Sequence, residues 1–159
     1  MPDQYIAAAE SIILATTGQL TPLVVELTAS NRRFNLNEMG ISFNGTSSSA
    51  TPVIVRLVRV STAPASGATI TQAATPMDPA SPSSLCTAYM PVASTGAFGT
   101  PPTIGVVLRT WFVPPTSGLV IQFPLGQEPD VPPTSANGLA IACAAPASVS
   151  CNSYMVWTE

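Results

Sequence analysis

Residues 33–43, which read RFNLNEMGISF, decide the fold class. The apolar residues at positions 34 and 36 share one face of an extended chain, whereas those at 39, 41 and 43 continue with the opposite parity. A single extra residue between Asn37 and Gly40 places all five side chains on one face, which is what a β-bulge does. The stretch therefore predicts a bulged β-strand with one buried face.

Short runs rich in Val, Ile, Thr and aromatic residues recur along the chain between Pro, Gly, Ser or Asn. With the stretch above, the predicted strands are 23–29, 33–43, 53–60, 85–90, 104–113, 119–123, 139–144 and 149–157. About eight short strands separated by turn residues predict an all-β fold: a single-domain antiparallel β-sandwich, a jelly roll or a barrel. Proline stands between these runs.

Three turn signals predict how the strands connect. Asn44-Gly45 follows the 33–43 stretch directly and predicts a hairpin into the polar run 46–49. Residues 114–118 are expected to turn the 104–113 strand back into 119–123, and a turn at Pro146 is expected to join the last two strands as a closing hairpin. The almost wholly apolar run 53–60 is typical of a strand covered on both faces.

The remaining segments are harder to assign. Residues 61–84 and 91–103 are rich in Pro, Ser and Ala and nearly uncharged, so they predict long loops that a partner orders, with flexible, solvated loops as the alternative. Residues 1–20 predict an N-terminal arm or a short helix, since residues 7–9 are all alanine. The β-sandwich domain is expected to cover residues 21–159.

The chain carries no signal for export or membrane insertion that we can identify. The N-terminal residues lack the basic region of a signal peptide, and Asp3 stands where Lys or Arg is expected. No run of 18 or more apolar residues occurs, so no transmembrane helix is predicted. We therefore expect synthesis in the cytoplasm and no membrane partner.

Charge is the most unusual feature of the composition. Charged residues make up 8% of the chain, against about 25% in a typical domain. So few charges leave a surface that either Ser, Thr, Asn and backbone cover or partners bury. The net charge of −3 argues against nucleic acid, which binds clustered cations.

Several classes of enzyme are excluded by missing residue types. The chain contains no histidine, so it cannot form a Ser–His–Asp or Cys–His site or a His-ligated zinc. It contains no lysine, which excludes a Schiff-base enzyme and a P-loop. We expect neither catalytic residues nor a cofactor.

The cysteines and carboxylates predict no metal site. Cys86, Cys143 and Cys151 lack CxxC spacing and are expected to be small buried hydrophobic residues, with a Cys143–Cys151 bridge or an intermolecular bridge as alternatives. The closest approach to a calcium motif is Glu128-Pro129-Asp130, for which a solvated turn is the favoured interpretation.

Arginine and large aromatic residues supply the candidate interface positions. Arginine forms bidentate pairs with carboxylates across interfaces, and an exposed tryptophan is a natural anchor. The candidates are Arg32, Arg33, Arg56, Arg59, Trp111 and Phe112. The alternatives are outward-facing edge charges for the arginines and core positions for the aromatic residues.

Three segments together carry a family resemblance. They read NRRFNLNEMGISFNGT (31–46), FPLGQEPDV (123–131) and YMVWTE (154–159). They resemble the capsid decoration, or cement, proteins of tailed bacteriophages, and the likeness extends over about residues 23–159. The resemblance implies a β-sandwich or jelly-roll subunit, commonly a homotrimer, on the outside of a capsid lattice.

The resemblance also implies a function and a partner. It implies a structural virion protein that binds the major capsid protein and reinforces the shell through contacts that bridge subunits. The alternative from a different class is a trimeric jelly-roll binding module on a fibre or cell surface, which recognises a receptor or a carbohydrate.

Overall fold

The computed structural model describes residues 3–15, 18–29, 31–47, 51–65 and 69–159, and this part of the chain contains strands and no helix. The strands are β1 (Gln4–Leu14), β2 (Gln19–Leu27), β3 (Phe34–Phe43), β4 (Val53–Val60), β5 (Thr69–Gln72), β6 (Thr75–Pro76), β7 (Cys86–Pro91), β8 (Ile104–Val113), β9 (Gly118–Gln122), β10 (Asp130–Val131), β11 (Gly138–Ala144) and β12 (Val149–Thr158).

These strands form two antiparallel sheets that pack together as a sandwich. Sheet A has the order β10-β3-β12-β1-β6, and β9 pairs with the same edge of β3 as β10, further along the strand. Sheet B has the order β5-β7-β2-β11-β4-β8. The predicted all-β, antiparallel fold is confirmed. The expected number of strands was too low, because β1, β5, β6 and β10 were not predicted.

The core lies between the two sheets and is built by alternation along each strand. In β4, for example, Val53, Val55 and Leu57 are fully buried in the main cluster. Trp157 stacks on Tyr5 with the ring centroids 6.1 Å apart, and the ring of Phe34 lies 6.3 Å away. Such aromatic contacts add to the burial of area, which is the main stabilising term.

The bulge predicted in β3 is confirmed. Val156 of β12 pairs with Glu38 and the next residue, Trp157, pairs with Leu36, so Asn37 is the extra residue. The apolar side chains on both sides of Asn37 are buried in the same core. The parity argument from the sequence therefore identified both the strand and the position of its irregularity.

The prediction of an arm or short helix over residues 1–20 is wrong for β1. This strand lies between β12 and β6 in sheet A, and its alternate residues Tyr5, Ala7 and Ala9 are buried. The high helix propensity of alanine hid this period of two, and packing against the core overrode the propensity. Ser11 adopts a φ of 56° where the register of β1 shifts, and its N–H donates to Asn152 Oδ1 at 2.7 Å.

The three predicted hairpins are also wrong, since each turn carries the chain from one sheet to the other. β3 and β12 belong to sheet A, whereas β4, β8 and β11 belong to sheet B. Asn44-Gly45 instead docks on neighbouring loops: Gly45 N–H donates to the Pro115 carbonyl at 2.7 Å, and Ser150 N–H donates to Asn44 Oδ1 at 3.0 Å. Local turn chemistry marked the ends of the strands but not their partners.

The two segments predicted as loops that a partner orders are held by their own chain where the structure describes them. The first contains β5 and β6, and the Tyr5 hydroxyl donates to the Pro82 carbonyl at 3.0 Å. The second covers the outer face of sheet B, where Phe98 packs in a small apolar cluster with Val24 and Val58. Residues 66–68 lie outside the described part.

The three cysteines are free and buried, as the favoured interpretation held. Cys143 lies on β11 in sheet B, and Cys151 lies on β12 in sheet A. Both thiols point into the main core, so they act as small hydrophobic groups. Burial raises the pKa of Cys151 to about 12, which keeps this thiol protonated at neutral pH.

The turn before β11 offers a stabilising substitution. Ala136 has a φ of 68°, a conformation that costs an L-residue other than glycine about 1–2 kcal/mol. Ala136→Gly removes that cost, but the greater freedom of glycine in the unfolded chain lowers stability by about 0.4–1 kcal/mol. We therefore expect the free energy of unfolding, measured with urea, to increase by roughly 0.5 kcal/mol. The control Ala147→Gly, in an exposed turn without positive φ, should lose stability; a loss at both positions would contradict the strain at Ala136.

Candidate interaction surface

One side of the sandwich concentrates the exposed apolar side chains. Nine large hydrophobic residues are exposed among those that the structure describes, and six of these lie on β8, on β9 or in the turn after β9. We call this side the apolar wall, and its six residues are Ile104, Val106, Val107, Phe112, Val120 and Leu125. The exposed fraction reaches 63% for Val106, 72% for Phe112 and 96% for Leu125. Exposed apolar side chains gathered on the neighbouring edge strands β8 and β9 make this side the candidate interaction site.

The apolar wall contains the one long outer strand of the two sheets in the described part of the chain. β8 has ten residues, whereas β5, β6, β9 and β10 have four, two, five and two. Proteins protect sheet edges with short strands, prolines and charges. β8 contains no proline and a single charge, Arg109, so its edge is protected by neither.

The two halves of β8 differ in regularity. Residues 109–113 pair with 57–53 of β4 without interruption, whereas the register shifts twice between Leu57 and Val60. These shifts place extra residues in the first half of β8, and bulges bend a strand away from its neighbours. Ile104, Gly105, Val106 and Val107 are consequently all exposed, although successive residues of a regular strand face opposite sides.

Two of the predicted interface arginines find their carboxylate within the chain. Arg33 Nη1 lies 3.3 Å from Asp130 Oδ2. Arg59 Nη1 donates to the Asp130 carbonyl at 2.6 Å, and Arg59 Nη2 lies 3.4 Å from Asp130 Oδ1. Because Arg59 is on β4 and Asp130 on β10, this contact ties sheet B to sheet A. These two arginines therefore pair with a carboxylate of their own chain, and their expected pairing between subunits stays a prediction.

The other predicted interface residues have different surroundings. Arg56 donates to the side-chain oxygen of Gln19, and Arg32 is exposed. Trp111 is half-buried against the main core, whereas Phe112 points outward from the apolar wall. Arg109 was not among the predicted interface residues. Its guanidinium carbon lies 5.8 Å from the ring centroid of Phe123, a cation–π contact that joins β8 to the end of β9.

A polar cluster that the sequence did not reveal lies on the outer face of sheet A. Glu38 accepts hydrogen bonds from the Tyr154 hydroxyl and from Gln122 Nε2, the latter at 2.7 Å. These bonds lower the pKa of Glu38, while burial and then the bond to Glu38 raise the pKa of Tyr154 to about 12. The Tyr154 ring covers its cross-strand partner Gly40, where a Cβ would lie 2.1 Å from the ring.

A concavity of about 440 Å³ adjoins this cluster. Its lining includes Tyr154, Asn152, Ser42, Glu10 and Val120. An aromatic ring beside amide, hydroxyl and carboxylate groups can bind a sugar by stacking and hydrogen bonds, as sites of few convergent polar groups do. No sequence motif could predict this concavity, because residues of four different strands line it.

A buried carboxyl group lies in sheet B. Glu26, on β2, is 3% exposed, and its Oε2 has no hydrogen-bond partner in the described part of the chain. Burial raises the pKa of Glu26 to about 7, and a hydrogen bond from Tyr89 opposes that rise. A lone carboxyl that is neutral when buried is a source of pH-dependent stability.

The carboxylates of the Glu128-Pro129-Asp130 turn, which is expected to be solvated, have partners in the structure. Glu128 Oε2 accepts a hydrogen bond from the Gly126 N–H at 2.6 Å, and Asp130 pairs with Arg33 and Arg59. Both carboxylates are thus used to hold a turn and the join between the sheets. The described residues contain no group of three or more Cys, Asp or Glu side chains arranged to bind a metal ion.

Within residues 3–15, 18–29, 31–47, 51–65 and 69–159 there is no helix of the length and apolarity that crossing a membrane requires. No protein-family model matches the chain, and no curated protein or solved structure is significantly similar to it.

Proposed function

We propose that the chain is a structural virion protein, a sandwich of the jelly-roll kind, on the exterior of a phage capsid. It binds the major capsid protein and reinforces the lattice through contacts that bridge subunits. The observation that carries the proposal is the apolar wall, together with the family resemblance of segments 31–46, 123–131 and 154–159. No enzymatic step is part of this function.

The surface chemistry supports binding through area. The folded chain has 7477 Å² of accessible surface for five arginines and eight carboxylates, or about one charge per 575 Å². A standard interface of about 1,600 Å², roughly 60% apolar, offers about 24 kcal/mol of gross hydrophobic free energy before the costs of association. A small net fraction of this, repeated at every lattice site, makes opening of the shell more costly.

The bent first half of β8 and Leu125 are the part of the wall best placed to contact a shell. Val106 lines a concavity with Arg59 and Val131, at the place where Arg59 and Asp130 join the two sheets. A charge introduced at Val106 must be desolvated when a partner covers it, which costs several kcal/mol unless it is paired.

The test is to strip the protein from capsids, add variants back and measure occupancy. We expect Val106→Lys to weaken binding at least tenfold. The matched control Met77→Lys makes the same change at a residue that is 56% exposed beside β6, at the opposite end of sheet A from β10, and it should bind like wild type. Equal binding of the two variants would contradict the assignment of the wall.

Salt provides a second readout of the same binding. Because the wall carries so few charges, raising the salt from about 0.05 M to 0.5 M should change the occupancy less than about threefold. Release of the protein by moderate salt would show that charge pairs, not apolar area, hold it.

A second function is favoured by one specific observation, the concavity beside Tyr154. In this alternative the chain is a binding module whose open sheet A face recognises a carbohydrate through Tyr154, Asn152 and Glu10. The discriminating experiment is a titration with neutral oligosaccharides that follows tyrosine fluorescence or NMR shifts. Saturable binding that Tyr154→Ala abolishes, without any binding to capsids, would favour this alternative over the structural one.

A further inference from the structure

We propose that residues 109–113 of β8 pair antiparallel with the same residues of a second copy of this chain, about a two-fold axis at Trp111. The inference rests on the proposed shell-binding function, since a subunit reinforces a lattice only when it is at least bivalent. Two paired copies carry two bent β8 halves, and so two contacts for neighbouring capsid subunits. The pairing joins two B sheets into one continuous sheet.

The backbone of this stretch is prepared for pairing. Residues 109–113 form a regular ladder with β4, so alternate N–H and C=O groups on their other side face outward in the spacing of an antiparallel partner. Pro114 ends the ladder at one end, and the register shifts end it at the other. The available ladder is five residues long, which is close to the average strand.

When the two-fold axis passes through Trp111, residues that lie opposite each other in the two copies point to the same face of the joined sheet. Thr110 then lies opposite Phe112 of the second copy on the outer face, and Arg109 lies opposite Val113 on the inner face. Phe112, which is 72% exposed in the single chain, gains a cross-strand neighbour. No residue has to move to the opposite face of the sheet.

Charge selects a second copy over a charged partner. Arg109 is the single charge in the stretch, and it already lies over Phe123 of its own chain. In the proposed register the two Arg109 side chains are not opposite each other, so like charges do not oppose the pairing. Apart from Arg109 the edge is uncharged and is therefore compatible with a second copy of itself, which is what a two-fold interface requires.

The size of the contact sets its strength. A five-residue ladder with one exposed aromatic side chain on each copy falls below the roughly 1,200 Å² of stable interfaces, so the pair is weak in free solution. On a shell, copies held at neighbouring sites meet at a high effective concentration, which promotes the pairing. The two-fold pair is a dimer, whereas the family resemblance implies a trimer.

Disulfide trapping tests the axis directly. Cα atoms of directly opposite residues lie about 4.5–5.5 Å apart, within the range of a disulfide, so Trp111→Cys should cross-link into a covalent dimer under mild oxidation. The matched control Thr110→Cys should not, because the two copies of residue 110 lie on a diagonal of about 7–8 Å. The native thiols are buried and should remain silent.

Sedimentation of the intact chain supplies a second measurement in case Trp111→Cys does not fold. Between about 1 and 500 µM, the wild type and Met77→Lys should shift reversibly from monomer to dimer, and Phe112→Lys should remain monomeric. A trimer, a monomer at every concentration, or equal cross-linking at positions 110 and 111 would overturn the pairing. Capsid binding by a strictly monomeric chain would remove this inference and leave the proposed binding to the capsid standing.

Discussion

Glu26→Gln is expected to stabilise the protein by about 3 kcal/mol above pH 7.5 and to have little effect near pH 4. The wild-type carboxyl is buried on β2 with one oxygen unpartnered, and its pKa rises from 4.5 to about 7 on folding. Each pKa unit of difference between the folded and unfolded states is worth about 1.4 kcal/mol. Glutamine keeps an acceptor for Tyr89 and cannot ionise.

The direction of the pH dependence follows from proton counting. Between pH 4.5 and 7 the folded chain holds a proton on Glu26 and the unfolded chain does not, so the free energy of unfolding falls as pH rises. Above the pKa of Glu26 in the folded chain, this carboxyl is ionised in both the folded and the unfolded state. The loss of stability then reaches its plateau. The free energy of unfolding of the wild type minus that of Glu26→Gln should therefore decline between pH 4.5 and 7. The contributions of other titratable groups are the same in both proteins and cancel.

Urea unfolding at intervals from pH 4 to pH 8.5 measures this difference. Glu38→Gln is the control of opposite sign, because hydrogen bonds from Tyr154 and Gln122 lower the pKa of Glu38. Glu38→Gln should be less stable than the wild type above the pKa that Glu38 has in the unfolded chain. The difference should disappear as pH falls. Parallel curves for wild type and Glu26→Gln over the whole range would show that Glu26 is not buried as described.

Gly96→Ala is expected to destabilise the fold by at least about 2 kcal/mol and to lower the melting temperature by roughly 4–8 °C. Gly96 has a φ of 62°, and an added Cβ would lie 1.7 Å from the Ile13 carbonyl oxygen. The neighbouring Ala93 carbonyl accepts the Ile13 N–H at 3.0 Å. The substitution therefore pushes the 91–103 segment away from β1 and draws Phe98 off sheet B.

Gly126→Ala separates the two causes of this effect. Gly126 has a φ of 83°, but nothing lies within 4 Å of an added Cβ, so this variant should lose only the conformational cost of about 1 kcal/mol. Thermal unfolding of both variants measures the difference. Equal losses would mean that the close approach of Gly96 to Ile13 contributes nothing.

The eight predicted strands are all present because each is a run of branched or aromatic residues with at least some side chains packed against the core. The bulge at Asn37 was also readable, since one change of parity has one simple geometric solution. Strand β1 was missed because alanine signals a helix, although in β1 alanine leaves room for the packing of larger neighbours. β5, β6 and β10 are too short to produce a pattern.

Strand pairing was the part that the sequence could not supply. Asn44-Gly45 and Pro146 end their strands as predicted, but the chain then crosses to the other sheet, and pairing depends on contacts distant in sequence. The same limit applies to the surface. Trp111 and Phe112 are adjacent in the chain and both are large aromatic residues. Only the fold shows that Phe112 faces outward while Trp111 packs inward.

The internal pairs of Asp130 illustrate the limit for charged residues. Arg33 and Arg59 are 97 and 71 residues away from Asp130 in the chain, and no motif links them. With so few carboxylates in the chain, an arginine that pairs with one internally has its charge balanced within its own subunit. The apolar wall, rather than the arginines, thus became the feature on which the proposed function rests.

The most direct test of the proposed function compares the strength of shells with and without the protein. Capsids stripped of the protein, restored with wild type, or restored with Val106→Lys are heated and exposed to osmotic shock, and intact particles are counted by electron microscopy. Wild-type protein should return stripped shells to their original resistance, and Val106→Lys should fail to do so at the same concentration. Equal survival of stripped and fully restored shells would contradict a reinforcing role.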